Sequence, residues 1–202
     1  MKRSHDVERF NRWAATYDRH RLQRIVFEPM QATVLDVAAA EVPKPRAILD
    51  VGCGTGRLLR SAHDRFEGAA LFGVDAAAEM VKQAQASSES IDFQEATAEQ
   101  LPFADQQFDL IFSTMTFHHW SDQRKSIAEI ARVMRPGGRW LLADFMPTGF
   151  MRWFRRLFRM HQFPVRQELD PILSAAGLEV VGQRAVPGLR GQVVVLAIGA
   201  TS

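Results

Sequence analysis

A short apolar run with an acid near its end, followed by three alternating glycines, leaves few folds open to this chain. Residues 47–51 read Ala-Ile-Leu-Asp-Val, and Gly52, Gly54 and Gly56 come next. A continuous apolar run is typical of a buried parallel strand, and glycine permits sharp turns and close backbone approach to a ligand. The segment therefore predicts a strand, a loop and then a helix from Arg57, which together cradle a flat nucleoside at the carboxyl edge of a sheet.

The spacing of the glycines indicates which nucleoside. A dinucleotide loop needs glycine at its first, third and sixth positions, and here the sixth position is Arg57. The order Asp-x-Gly-x-Gly-x-Gly resembles motif I of the class I S-adenosylmethionine (SAM) methyltransferases, whose loop packs against the methionine and ribose of SAM. A tight turn without a ligand is the alternative for this loop taken alone. The resemblance implies cofactor contacts at Asp50, Gly52, Gly54, Thr55 and Gly56.

A second apolar run, residues 70–75, ends in Asp75 about twenty residues beyond the loop. A carboxylate at this point can accept hydrogen bonds from both ribose hydroxyls. Aspartate is also a good N-cap, and a helix is predicted to start near Ala77. Both roles are compatible, because different atoms of the same region can serve them.

Further segments resemble the same family in the same order. Residues 96–103 resemble its adenine-binding turn, residues 108–114 its fourth strand, and residues 132–139 its turn into the fifth strand. The set resembles the small-molecule branch typified by the ubiquinone and menaquinone C-methyltransferases, and it covers about residues 10 to 145. SAM is therefore the expected cofactor, and the resemblance adds contacts at Tyr17, Ala76, Thr97, Ala98 and Thr114.

The adenine-binding turn departs from the family at one position. The family usually has Asp or Asn before the Ala-Glu pair, and this chain has Thr97. The threonine hydroxyl can still accept one hydrogen bond, and the backbone N–H of Ala98 can donate to the ring. We therefore expect a weaker adenine contact than the family norm.

Composition narrows the class of protein. A length of 202 residues suits one domain, and a net charge of +2 gives no strong field that would favour nucleic acid. The single cysteine, Cys53, excludes a disulfide framework or a cysteine zinc site, and no metal is expected. The charged residues 1–12 do not read as a secretory signal, and no run of eighteen apolar residues predicts a transmembrane segment. A cytoplasmic enzyme is the expectation.

Alternating strands and helices predict a doubly wound, Rossmann-like α/β sheet of seven strands. The chain is expected to be one methyltransferase domain, residues 1–202. Residues 178–185 and 192–198 are β-rich and closely spaced, so they must pair antiparallel, since a parallel crossover needs a dozen or more residues. The family resemblance places the last strand beside the fifth. The predicted parts are lid helices at 1–40, a cofactor core at 46–145, acceptor-side helices at 146–177 and closing strands at 178–199.

Within this core, the pattern predicts strands and helices at defined positions. The strands are expected at 46–51, 70–75, 91–95, 108–113 and 138–145. The helices between them are expected at 57–66, 77–87 and 122–134.

In the N-terminal segment, residues 10–18 resemble the aromatic lead-in that folds over the cofactor in this branch. There Tyr17 is expected to reach the SAM carboxylate and Trp13 to wall the acceptor pocket, while a helix that packs two aromatics on the core is the alternative.

Two adjacent histidines, His118 and His119, follow the fourth strand and are the candidate catalytic bases. An imidazole titrates near neutrality and can take a phenolic or enolic proton. A cap and core anchor at a loop-to-helix junction is the alternative. A metal site is less favoured, because adjacent side chains diverge and no third ligand is suitably spaced.

Residues 150–163 form a basic, amphipathic helical pattern, with an aromatic stripe on one face and four arginines on another. Three interpretations stay open: a docked helix with a solvated basic face, a peripheral contact with anionic lipid, or an acceptor lid whose arginines meet an anionic group. The first is our prediction, with Trp153 or Phe154 reaching the acceptor pocket.

The combined reading is a SAM-dependent methyltransferase that acts on an unidentified small molecule, expected to be apolar or aromatic, such as a quinone precursor. A SAM-binding module without catalysis and a nucleotide-linked oxidoreductase are the alternatives, and Arg57 argues against the latter. Whether oxygen, nitrogen or carbon receives the methyl group stays open, as does the oligomeric state.

Overall fold

The computed structural model describes residues 2–19, 23–146, 165–189 and 193–201. Its centre is one seven-stranded sheet with the order β3-β2-β1-β4-β5-β7-β6. The first five strands run parallel, and β7 pairs antiparallel with both β5 and β6. The strands are β1 Ala47–Val51, β2 Ala70–Asp75, β3 Asp92–Glu95, β4 Phe108–Thr114, β5 Met134–Phe145, β6 Leu178–Ala185 and β7 Val193–Ala200.

Six α-helices surround the sheet in the described part of the chain. They are α1 Lys2–Tyr17, α2 Glu28–Glu41, α3 Arg57–Arg65, α4 Ala78–Ser87, α5 Gln123–Val133 and α6 Arg166–Ala175. A π-helical turn, Gln23–Phe27, precedes α2, and a 3₁₀ turn, Phe117–His119, follows β4. No helix in these ranges is both long and apolar enough to cross a membrane.

Two hydrophobic clusters cover the two faces of the sheet. Neighbouring residues of β1 point to opposite sides, since Ile48 belongs to one cluster and Leu49 to the other. Helices α2, α3 and α4 pack on the first face, and α5 and α6 pack on the second. Because strands buried on both faces must be apolar throughout, β1 and β7 read as nearly continuous hydrophobic runs.

The predicted fold class is confirmed: the sheet is mostly parallel, and the last strand lies antiparallel beside the fifth. The largest difference from a predicted strand boundary is at the start of β5, whereas the other strand bounds agree within two residues. β5 begins at Met134 and not at 138, because the glycine pair is accommodated as a bulge inside the strand. Gly137 there has a positive φ of 79°, which glycine adopts without strain. The predicted basic helix at 150–163, including Trp153 and Phe154, lies outside the described residues.

The chain reverses its direction of winding at β1, since β2 lies on one side of it and β4 on the other. In open parallel sheets, ligands bind beyond the carboxyl ends of the strands at such a switch point. The loops that follow β1, β2 and β4 meet at this edge, and they carry most of the predicted site residues.

Candidate functional site

The loop after β1 requires glycine at two positions for different reasons. Gly52 has φ 82°, and a Cβ there would collide with the side chain of Thr116. Gly56 has φ 78°, and a Cβ there would lie 2.5 Å from the ring of Phe93. Gly56 therefore permits close helix-to-sheet packing, whereas Gly52 lets the post-β4 loop approach the glycine loop.

Asp75, at the end of β2, holds the glycine loop and the start of α4 in place. Its two carboxylate oxygens accept hydrogen bonds at 2.9 Å, one from the N–H of Gly54 and the other from that of Ala77. Burial raises the pKa of Asp75, and the backbone hydrogen bonds oppose that rise. The carboxylate is thus fixed in direction while it lines the main cavity.

Asp50 is a buried acid on β1, with only 1% of its surface exposed. Its Oδ1 has no hydrogen-bond partner among the described residues. Burial, and then the charge of Asp75, raise the pKa of Asp50 to about 8. An unsatisfied buried carboxyl is costly, so this side of the glycine loop is suited to a cationic or hydrogen-bond-donating ligand.

The turn at 97–103 is fixed from behind by an ion pair on α5. The backbone N–H of Leu101 donates to Glu129 at 2.9 Å, and Arg132 donates to the carbonyl oxygens of Leu101 and Phe103 at 3.1 and 2.8 Å. Arg132 also binds Glu129 directly at 2.8 Å, which lowers the pKa of that carboxyl. The front of the turn, including Thr97, faces the main cavity.

Helix α1 forms one wall of the main cavity. Its inward side chains recur at helical spacing, at Val7, Phe10, Ala14 and Tyr17, and they pack against the start of α4. Trp13 falls off this face and is 51% exposed, so the expectation that Trp13 walls the pocket is wrong. Phe10 from the same helix lines the cavity instead.

The end of α1 is joined to the glycine loop. The hydroxyl of Thr55 donates to Asp18 at 2.7 Å, so this predicted cofactor residue has a partner within the protein. Tyr17 lines both cavities beside the glycine loop. Burial, and then the charges of Asp75 and Asp18, raise the pKa of Tyr17 to about 12, so its hydroxyl stays protonated at neutral pH.

The two histidines occupy different environments. Nδ1 of His118 lies 2.8 Å from a carboxylate oxygen of the fully buried Asp144, which also accepts the His118 backbone N–H at 3.2 Å. Nδ1 of His119 lies 3.2 Å from Asp6 of α1, and the two imidazole rings are 4.0 Å apart. His119 lines the main cavity, whereas His118 does not.

Most predicted cofactor residues meet at two adjoining cavities. The main cavity is lined by Tyr17, Gly52, Gly54, Asp75, Ala76, Thr97, Ala98 and Thr114. The second cavity, on the other side of the glycine loop, is lined by Tyr17, Asp50, Gly52, Gly54, Thr55 and Thr114. Gly56 lines neither of them.

Two residues that anchor the histidines were missed by sequence reasoning. Asp144 is the penultimate residue of the apolar strand β5, much as Asp75 is the last residue of β2, so an acid near a strand end was an available signal. Asp6 lies 113 residues from its partner His119 in an ordinary charged helix, and no local pattern marks it.

Comparison with known proteins places the chain among methyltransferases. A family model described as a methyltransferase domain matches residues 49–142. The demethylmenaquinone methyltransferase of Thermus thermophilus is 36% identical over 176 residues, which are 72% of this chain and 79% of that protein. The malonyl-[acyl-carrier protein] O-methyltransferase of Geobacter sulfurreducens is 34% identical over 189 residues, 85% of this chain and 69% of that protein.

Other relatives are matched over less of their length. The methyltransferase YcgJ of Bacillus subtilis is 37% identical over 124 residues, 59% of this chain, and the chain spans 48% of it. Two Aspergillus O-methyltransferases are spanned over 64% and 55% of their length. Among solved structures, the methyltransferase bound to the Trm112 activator of Haloferax volcanii has the same fold, with a TM-score of 0.78 and 23% identity over 95% of this chain and 97% of that one.

Proposed function

Given that this chain belongs to the SAM-dependent methyltransferase family, we propose that it transfers the methyl group of SAM to a small apolar or aromatic molecule. The observation that carries the proposal is the convergence of the glycine loop and the acids Asp50 and Asp75 on adjoining cavities at the switch point of the sheet. The acceptor class is inferred from the apolar side chains that share the main cavity with His119, which include Val7, Phe10, Met115 and Trp120.

The charges of the site suit this cofactor. SAM carries a sulfonium and an ammonium group, and both are cationic at neutral pH. No basic residue is among the causes of the raised pKa of Asp50 or of Asp75. Arg57 lines the second cavity, but its guanidinium donates to Gln23 and Glu28. A cationic ligand would favour the ionised form of both carboxyls. Asp50 would meet the ammonium group through the oxygen that has no partner in the described protein.

The remaining cofactor contacts are assigned from the residues that line the two cavities. Asp75 would accept the ribose hydroxyls, because its oxygens are already oriented by Gly54 and Ala77 and have further lone pairs. Thr97 and Ala98 would meet the adenine. The Tyr17 hydroxyl, which stays protonated, would donate to the cofactor carboxylate.

The protein's part in the chemistry is alignment and exclusion of water. The bound cofactor supplies an activated methyl group whose departing bond electrons stay with sulfur. The chain's residues hold the acceptor in line, and α1 covers the reacting groups. Where the acceptor must lose a proton, His119 is the base we propose, since it is the imidazole that lines the main cavity.

Calorimetry and turnover assays test the proposal. S-adenosylhomocysteine should bind and raise the melting temperature, whereas NAD should not, because a ligand of the folded state alone adds stability. Asp75→Ala should weaken S-adenosylhomocysteine binding by about 1.5–3 kcal/mol. Unchanged affinity in a folded Asp75→Ala variant would remove this assignment.

The acceptor class needs a separate assay. A panel of a naphthoquinol, a catechol and a malonyl thioester, followed by release of S-adenosylhomocysteine, should show turnover with one of the two aromatic probes. Turnover confined to the malonyl thioester would overturn the aromatic acceptor. Cofactor binding without turnover on any probe would favour the binding-module alternative.

A further inference from the structure

Helix α1 contributes a residue to the chemistry of the site as well as a wall. We propose that Asp6 is a positioning residue that fixes the orientation and tautomer of His119, so that Nε2 of this imidazole serves the acceptor. The inference rests on the proposed function. It assigns a role to a residue that is remote in sequence from the glycine loop and from the loop after β4.

The geometry around His119 supports this role. Oδ2 of Asp6 lies 3.2 Å from Nδ1 of His119, and Oδ1 of the same carboxylate is held by Arg9 at 3.1 Å. The ring of Phe10, one turn further along α1, stands edge-on to the imidazole with centroids 5.2 Å apart. Asp6, Phe10 and His119 all line the main cavity. The helix therefore contacts the imidazole with one acceptor atom and one apolar surface.

The contact is a hydrogen bond from a neutral ring, not an ion pair. Burial of the imidazole, and then the charge of His118, lower the pKa of His119 to about 4, while Asp6 opposes the shift and Arg9 adds slightly to it. A ring that is neutral at pH 7 carries one proton. The Asp6 carboxylate can only accept, so that proton belongs on Nδ1.

The consequence for the reaction is a defined proton acceptor. With the proton on Nδ1, the lone pair lies on Nε2 and stays free at pH 7. Because a pKa of about 4 makes this ring a weak base, the acceptor's proton passes to Nε2 only as the methyl group bonds to the acceptor, which makes that proton more acidic. The ring is then an imidazolium whose Nδ1–H still faces the Asp6 carboxylate, which stabilises the new charge. The proton then returns to solvent, to which the His119 side chain is 24% exposed. The neighbouring His118 has an anchor of its own in Asp144.

The test compares two alanine substitutions of acidic residues on α1. Asp6→Ala removes the contact, and Glu8→Ala is the matched control, because Glu8 lies on the same helix with an exposed side chain. The tautomer of His119 is read from ¹⁵N shifts of histidine-labelled protein saturated with S-adenosylhomocysteine. The unmodified protein and Glu8→Ala should carry the proton on Nδ1. Asp6→Ala should shift it to Nε2 or to a mixture.

Turnover of the naphthoquinol probe is the second measurement. Asp6→Ala should lower kcat at least about ten-fold, because a misoriented general base loses part of its catalytic contribution. The affinity for S-adenosylhomocysteine should change less than about two-fold. Glu8→Ala should retain both. An unchanged tautomer in Asp6→Ala would overturn the inference, and so would unchanged turnover. If the unmodified protein acts only on the catechol, that probe replaces the naphthoquinol. Absence of turnover with both aromatic probes would instead count against the aromatic acceptor, and the tautomer measurement would still decide the role of Asp6.

Discussion

At the scale of single residues, Asp50 couples the charge of the site to the stability of the protein. Its pKa is about 8 in the folded state against an ordinary value of 3.8. Between these two values the folded state binds more protons at this group than the unfolded state does. Stability therefore falls as pH rises through this window.

Asp50→Asn should remove this dependence. The comparison is made on the cofactor-free protein between about pH 5 and about pH 7. There the unfolding free energy of the unmodified protein should fall more steeply with pH than that of the variant, by about 1.4 kcal/mol for each pH unit. Urea titrations at several pH values measure the difference. The amide should also weaken S-adenosylhomocysteine binding. Parallel pH profiles for the two proteins would show that Asp50 ionises normally.

Thr97 is the point at which the adenine turn departs from the family norm. We expect Thr97→Asp to leave SAM affinity unchanged or to raise it, because a carboxylate accepts a stronger hydrogen bond from the adenine amino group than a hydroxyl does. The turn should tolerate the change, since its bond from the Gln100 N–H uses the Thr97 backbone carbonyl. Calorimetry decides, with Thr97→Val as the control that removes the hydroxyl. A clear loss of affinity would mean that this side chain does not face the adenine.

At the scale of elements, the adenine turn depends on α5 for its shape. Arg132 binds two carbonyl oxygens of that turn and two carboxylates. We expect Arg132→Met to lower stability by about 1–2 kcal/mol, a modest figure because the side chain is partly exposed. SAM affinity should fall as well, since the front of the turn loses its support.

A matched control for this change lies on the same helix. Arg124 is exposed, and Arg124→Met removes the same charge without the contacts. Thermal denaturation and calorimetry on both variants separate the effect of losing a charge from the effect of losing the contacts with the turn. Equal behaviour of the two variants would show that the network around Arg132 does not support the site.

How far the sequence predicts each element depends on whether the deciding contacts are local. An apolar run predicts the strand at 70–75, and the glycines predict the start of a helix at 57. The bounds of both elements agree with the structure within a residue. The start of β5 was misplaced, since pairing with β4 carries the strand through a glycine bulge.

The acceptor side was predictable only in part. The histidine pair was visible, but the sequence did not show which ring reaches the cavity, because that choice depends on Asp144 and Asp6 in distant elements. Likewise Trp13 looked like the wall residue, whereas the phase of α1 against α4 turns Phe10 inward. Such choices are made by tertiary packing, on which short-range patterns carry little information.

At the scale of the whole molecule, α1 is held less firmly than the sheet. From residue 6 to residue 17, Ala14 is the one side chain in the buried class, whereas every residue of β1 is buried. Segments with few buried contacts open at low free energy. The wall of the main cavity is therefore expected to be the least stable part of the described site.

Hydrogen exchange should report this directly. In the free protein, amides of α1 should exchange faster than those of β1 and β4. S-adenosylhomocysteine should slow amide exchange in α1, and the effect should grow with ligand concentration. If opening of α1 releases the ligand, the free energy of opening should rise by about 2.7 kcal/mol at a ligand concentration of a hundred times Kd. The amides of α6, on the other side of the sheet, are the internal reference. Protection of α1 that does not change with ligand would exclude its role as a cover.

The interior position of β7 has a consequence for biosynthesis. A ribosome adds residues 193–200 after the six other strands of the described sheet. In the folded protein these residues lie between β5 and β6 and belong to both hydrophobic clusters. Until residue 200 has cleared the exit tunnel, β5 has an unpaired edge and β6 has no neighbour in the sheet. Domains fold as units during synthesis, so a nascent chain that already contains the whole glycine loop must still wait for this strand. During that interval the open edge of β5 is a surface for chaperones to shield.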